Sequence, residues 1–186
     1  MVEKLFAIAA MALALAACGP RENGLQRFAQ GDMATFEFRA VPQEAAEASF
    51  LDAEGGKVRI ADFQGQVLLV NFWATWCAPC VREMPQLDAL QAALGSSAFQ
   101  VITISSDRRP RADVETFLRE DIGAQNLALY MDNNLGFSLG SQVTVWPTTI
   151  LFDAQGREIG RIAGPAEWDG EDARALIEGV IAATAD

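Results

Sequence analysis

Val67-Leu68-Leu69-Val70-Asn71-Phe72-Trp73-Ala74-Thr75-Trp76-Cys77-Ala78-Pro79-Cys80 joins two different kinds of sequence. From Val67 to Phe72 the run is nearly all apolar, as suits a buried parallel strand. Beyond Cys80 the period changes. Val81, Met84, Leu87, Leu90 and Leu94 recur every three or four residues and so mark one helix face, with Gly95 as a suitable stop. The two cysteines therefore stand where a strand hands over to a helix. Cys77 falls near the first helical turn, where unpaired backbone N–H groups stabilise a thiolate. Cys80 lies one turn further on, so the two sulfurs can meet. Pro79 stiffens that turn where a missing N–H costs little, and Trp76 is placed to shield the site while leaving one sulfur exposed. This pattern predicts thiol–disulfide exchange, in which Cys77 attacks a substrate disulfide and Cys80 resolves the mixed disulfide. The pair taken alone also admits a static disulfide or two buried thiols.

Composition narrows the chemistry further. The chain has three cysteines and no histidine. Ser-His-Asp and Cys-His catalysis and Cys/His zinc sites are therefore excluded, and two cysteines cannot build a four-thiolate site. Covalent haem attachment needs a histidine after the second cysteine, where this chain has Val81. No metal is expected, and no cofactor beyond the redox-active disulfide. A length of 186 residues suits one domain plus a targeting segment, and 51% hydrophobic residues suffice for one core. The formal net charge of −11 argues against nucleic acid or an anionic lipid surface as the main partner. Nothing demands more than a monomer.

Leu5 to Ala17 is apolar throughout and too short to span a bilayer comfortably, as in a signal peptide. It ends Leu15-Ala16-Ala17-Cys18, which resembles the lipobox of bacterial lipoproteins, with Cys18 acylated as the new N-terminus. Glu3 beside Lys4 weakens the positive region, and ordinary cleavage that leaves Cys18 free is the alternative. Either route places the domain outside the cytoplasm, where disulfides persist. The expected division is a signal peptide over 1–17, a polar tether over 18–35 and a folded domain over 36–186.

Within that domain, Phe36-Glu37-Phe38 reads as a short half-buried strand, and the Gly55-Gly56 turn within 50–60 as a β-hairpin. Residues 99–104, 127–131, 148–152 and 158–163 read as strands, and about 112–121 as a helix. The final helix buries Ala173, Leu176, Ile177, Val180 and Ile181. The fold class is α/β, a mixed central sheet flanked by helices with an N-terminal β-hairpin.

The segment from Phe72 to Cys80 resembles the active site of the thioredoxin superfamily, and more narrowly the membrane-tethered TlpA/ResA-like thiol–disulfide oxidoreductases. The likeness covers roughly residues 36–184. It implies a thioredoxin-like fold, a protein disulfide as substrate, and a membrane thiol transporter of the CcdA/DsbD kind as electron donor. It implies a lipid-anchored position on the periplasmic side of a bacterial membrane, with cytochrome c maturation as a setting. By the same resemblance Pro147 in Trp146-Pro147-Thr148-Thr149 is a cis-proline facing the cysteines. The Trp146 backbone pairs with extended substrate, and Gly164 leaves room beside it. The Trp146 ring either offers substrate a flat contact or packs against the hairpin. Trp76, Ala78 and Pro79 complete the substrate-binding set. Pro85 matches a proline five residues after the second cysteine in such proteins.

Thioredoxin keeps a buried Asp in the strand before its cysteines; here that position is Asn71, which cannot titrate. Glu83, three residues after Cys80 on the same helical side, is by resemblance the replacement that tunes the thiols and helps proton transfer. The alternative is a solvated residue pairing with Arg82 or a distant partner. Arg108-Arg109-Pro110-Arg111, the one dense basic patch, follows the 99–104 strand. If that strand runs parallel to 67–72, the patch lies at the same sheet edge as Cys77, placed to favour the thiolate or an acidic partner; a solvated loop is the alternative. The Ala-Pro dipeptide lacks the histidine found in strongly oxidising relatives, so a reductase is expected. A Sco-like copper chaperone and a thioredoxin-fold peroxidase are the competing classes.

Overall fold

The computed structural model describes residues 24–184. The signal peptide, Cys18 and the start of the tether lie outside the described residues. Eight strands form one mixed sheet: β1 (Glu37–Glu44), β2 (Phe50–Leu51), β3 (Lys57–Val58), β4 (Val67–Trp73), β5 (Phe99–Ser105), β6 (Ala128–Met131), β7 (Thr148–Phe152) and β8 (Arg157–Ala163). Their spatial order is β1-β8-β7-β4-β5-β6-β2-β3. Strands β4, β5 and β6 run parallel, and the other pairs are antiparallel. The helices are α1 (Ala78–Leu94), α2 (Arg111–Thr116), α3 (Gly136–Gly140) and α4 (Glu171–Thr184). Among the described residues no helix is long and apolar enough to cross a membrane.

Strand β4 is the axis of the fold, buried at every position from Val67 to Trp73. Its alternate side chains feed two cores. Leu69 and Trp73 pack with Met84, Leu87 and Leu90 of α1, with Val114 of α2, and with Leu176, Ile177 and Val180 of α4. Leu68, Val70 and Phe72 pack on the opposite face with Phe50, Ile60 and Phe137. The hairpin forms as expected: Phe50 pairs with Val58, and Asp52 Oδ1 accepts from the Glu54 and Gly56 amides in the turn. It extends the sheet by pairing Leu51 with Met131.

Three elements differ from the sequence expectation. The strand at Phe36–Phe38 is longer, Glu37–Glu44, and forms the sheet edge against β8 with a register shift between Phe38 and Gln43. Its half-exposed residues carry no apolar alternation, and Pro42 is tolerated because the strand is at the edge. The helix expected near 112–121 changes at Phe117 into a π-helical stretch, Phe117–Asp121, followed by Arg119 bonds to the Ala124 and Leu127 carbonyls. Helix α3 was not expected, since five residues with two glycines carry no helical period. Asp132 holds its start by accepting from the Phe137 and Ser138 amides.

The segment assigned to a tether over 18–35 is packed from Leu25 onward. Leu25–Phe28 and Gly31–Met33 form 3-10 turns that bury Leu25 and Met33. Phe28 lies where a side chain on Gly179 of α4 would collide with its ring. Polar spacing disguised these anchors. The docking predicts that Met33→Ala costs about 2–5 kcal/mol, the usual loss for a buried Met-to-Ala change. Urea unfolding measures it; a free tether would show no loss.

Candidate active site

The turn between β4 and α1 brings Cys77 to the helix N-cap. The Cys77 carbonyl accepts from the Val81 amide at 3.0 Å, which starts the helix. Its sulfur accepts from the Cys80 amide at 3.3 Å, so one otherwise unpaired donor of the first turn points at sulfur. The two residues are joined as a disulfide, with Cα atoms 5.3 Å apart. Cys77 retains 6% exposure and Cys80 none, so the pair meets solvent through Cys77. Trp76, the residue before it, is 66% exposed. Helix α1 continues through Pro85 to Leu94 without restarting.

The loop before β7 closes the other side. The Trp146–Pro147 bond is cis, and the Gly164 amide donates to the Pro147 carbonyl at 2.9 Å. Gly164 has φ 117°, a backbone region that favours glycine, and no atom lies within 4 Å of where a Cβ would be. The Trp146 ring faces Trp76, centroids 6.1 Å apart, and its Nε1 donates to Ser106 Oγ at 3.0 Å.

Because β5 is parallel to β4, Ser105-Ser106-Asp107 leaves the sheet beside Thr75. Asp107 is buried and accepts from the Thr75 amide (2.8 Å), the Thr75 hydroxyl (2.7 Å) and the Ser105 hydroxyl (2.8 Å). That clasp fixes the chain two residues before Cys77. Sequence reading missed Asp107; its signal was a short polar stretch at the exit of a buried strand, which no periodicity marks. Arg108 and Arg109 do lie at the cysteine edge, and Arg109 reaches Thr75 Oγ1 at 3.4 Å. Arg111 instead turns to the Leu129 carbonyl and Glu115.

Glu83 is not a solvated partner of Arg82. It belongs to the buried stripe of α1 with Cys80, Met84, Leu87 and Leu90, and is 3% exposed. Its Oε1 accepts from the Ala166 amide at 2.6 Å and from Trp168 Nε1 at 3.1 Å. Oε2 has no hydrogen-bond partner among the described residues, and neither does Asn71 Oδ1. Burial lifts the Glu83 carboxyl from 4.5 to about 7, against the pull of Ala166, Trp168 and Asn71 and with a small push from Glu167.

The family model for Redoxin matches residues 36–177. The chain belongs to the Redoxin family. Thiol-disulfide oxidoreductase ResA of Bacillus cereus is 30% identical over 135 residues, 73% of this chain and 76% of that protein. A thioredoxin-family thiol:disulfide interchange protein from Chlorobium tepidum matches at TM-score 0.60 and 25% identity, over 77% of this chain and 99% of its own. The thioredoxin domain of a Bacteroides vulgatus thiol-disulfide oxidoreductase gives TM-score 0.59 at 25% identity, over 76% and 98%. This Redoxin-family chain is thus a TlpA/ResA-like thiol–disulfide oxidoreductase of thioredoxin-like fold.

The raised Glu83 carboxyl has a measurable cost. Between about pH 4.5 and 7 the unfolded chain ionises Glu83 while the folded chain holds its proton. Stability therefore falls as pH rises through that window and levels off above it. At roughly 1.4 kcal/mol per pH unit the loss approaches about 3 kcal/mol. Denaturant titrations of the oxidised protein from pH 4 to 8 should show Glu83→Gln gaining on wild type across this window. Parallel pH curves would contradict the assignment.

Proposed function

We propose that this protein is an extracytoplasmic reductase of protein disulfides, held at a bacterial membrane by a lipid on Cys18 and recharged by a membrane thiol transporter. Maturation of c-type cytochromes is the setting we favour. The observation that carries the reading is a dithiol pair with one sulfur at the surface, beside a cis-proline loop, above a buried carboxyl. Two features favour the reducing direction. Ala78 and Pro79 bring no cation to the Cys77 sulfur, and a carboxylate near a thiolate raises both pKa values by repulsion. A less stable thiolate makes a more reducing couple.

Exchange then runs as follows. The Cys77 thiolate attacks one sulfur of the substrate disulfide; that S–S bond breaks, a bond from Cys77 to substrate forms, and the substrate's other sulfur leaves as thiolate and takes up a proton. Cys80 gives its proton to Glu83 and attacks the Cys77 sulfur. The second substrate sulfur leaves, two electrons have passed to substrate, and the Cys77–Cys80 disulfide remains. Oε2 of Glu83, without a hydrogen-bond partner among the described residues, is the oxygen open to that proton. Substrate lies extended along Trp146, whose main chain enters no loop hydrogen bond among the described residues. Gly164 adds no side chain to obstruct it, and Trp76, Ala78 and Pro79 flank the attacking sulfur.

Cys80→Ser should trap a mixed disulfide with substrate on non-reducing gels, while Cys77→Ser forms none. In defined thiol buffers the pair should equilibrate at roughly −270 mV or below, whereas a potential near roughly −120 mV would reverse the assigned direction. Glu83→Gln should shift the pH profile of Cys77 alkylation toward lower pH; an unchanged profile would remove Glu83 from the proton path.

A further inference from the structure

An open groove of about 610 Å³ lies past the ends of β4 and β5, lined in part by Thr75 and Trp76 of the turn that leads into Cys77. Trp76, Trp146 and Leu135 supply its apolar lining, and Arg108 and Arg109 stand along it. Val145 and Leu139, neighbours of Trp146 and of the Leu135 turn, are also large exposed apolar side chains. Such a surface beside a reactive sulfur suits a peptide side chain better than water.

The arginines separate this groove from a merely greasy one. Several guanidiniums among the described residues are ion-paired: Arg39 and Arg161 to Glu158, Arg157 to Asp153, and Arg111 to Glu115. Arg108 and Arg109 enter no such ion pair. The acidic side chain lining the groove is Asp107, which is buried, with both oxygens turned onto Thr75 and Ser105. Two exposed guanidiniums thus face one sequestered carboxylate, in a chain whose formal net charge is −11. A basic patch borders the turn that carries the dithiol of an acidic protein.

We propose that Arg108 and Arg109 make the groove selective for protein substrates whose disulfide is flanked by an apolar side chain followed by a carboxylate. The apolar side chain lies against Trp76, Trp146 and Leu135, and the carboxylate meets the guanidiniums. This rests on the reductase reading above and specifies the substrate it favours.

Three oxidised peptides test it, alike except for Phe-Glu, Phe-Gln or Phe-Lys on each side of the disulfide. Reduced protein should consume them at low salt in the order Glu, Gln, Lys, with Glu over Lys by about fivefold or more in kcat/KM. The ratio should shrink at high salt, as exposed charge pairs do. Arg108→Gln with Arg109→Gln should draw the three rates together. Arg108→Glu with Arg109→Glu should invert the order, a gain for the Lys peptide that misfolding cannot mimic. Equal rates for all three peptides with the native protein, or an order unchanged by charge reversal, would overturn the proposal. Hydroxyethyl disulfide, too small to reach the arginines, reports the dithiol alone. Inertness toward it and toward every peptide would refute the reductase reading instead. Tryptophan fluorescence with cysteine-to-serine peptides then decides the groove by itself, preference for the Glu peptide supporting it and indifference refuting it.

Discussion

Everything polar that this protein uses is pushed to one place because β4 admits nothing polar to solvent along its length. Its seven residues are sealed between two cores and two neighbouring strands. Such a strand can carry chemistry only where it leaves the sheet. There the chain turns through Thr75 and Trp76 into the N-cap at Cys77, and parallel β5 brings Ser106 and Asp107 to the same edge. The Trp146–Pro147 loop arrives from β7, on the other side of β4. The active site is the convergence of three chain segments at one end of one buried strand.

Two buried carboxylates serve that edge in different ways. Asp107 spends its oxygens on three donors and works as a clasp on the turn before Cys77. Glu83 spends one oxygen on two donors and leaves the other without a partner. The first arrangement holds geometry; the second leaves a carboxyl oxygen without a partner on the same buried helix stripe as Cys80. Position alone decides the difference, since Asp107 sits among backbone and hydroxyl donors at a strand exit and Glu83 sits on an apolar helix stripe.

The strand-to-helix switch at Cys77 was legible because periodicity changes there, and burial of β4 follows from its composition. The cysteine spacing and the placing of Cys77 near the first helical turn were equally plain. Burial of Glu83 was half legible: its spacing from Cys80 puts it on the inward side, but a carboxylate in an apolar stripe contradicts ordinary patterning. Strand β1 was short in the sequence reading because an edge strand with half-exposed residues shows no alternation. Leu25 and Met33 were hidden because isolated apolar residues between glycines and polar residues have no period. The Asp107 clasp depends on a contact between segments distant in sequence, Thr75 with Asp107, which no local pattern encodes, and helix α3 is too short and glycine-rich to show a period.

The burial of Cys80 has a consequence for traffic. One sulfur and one flanking surface, between Trp76 and the Trp146 loop, are open to any partner. Any two partners that exchange electrons with the Cys77–Cys80 pair must occupy that same surface, so they cannot sit on the molecule together. The domain works as a shuttle that alternates between clients rather than a bridge that joins them, and a client that lingers blocks both halves of the cycle.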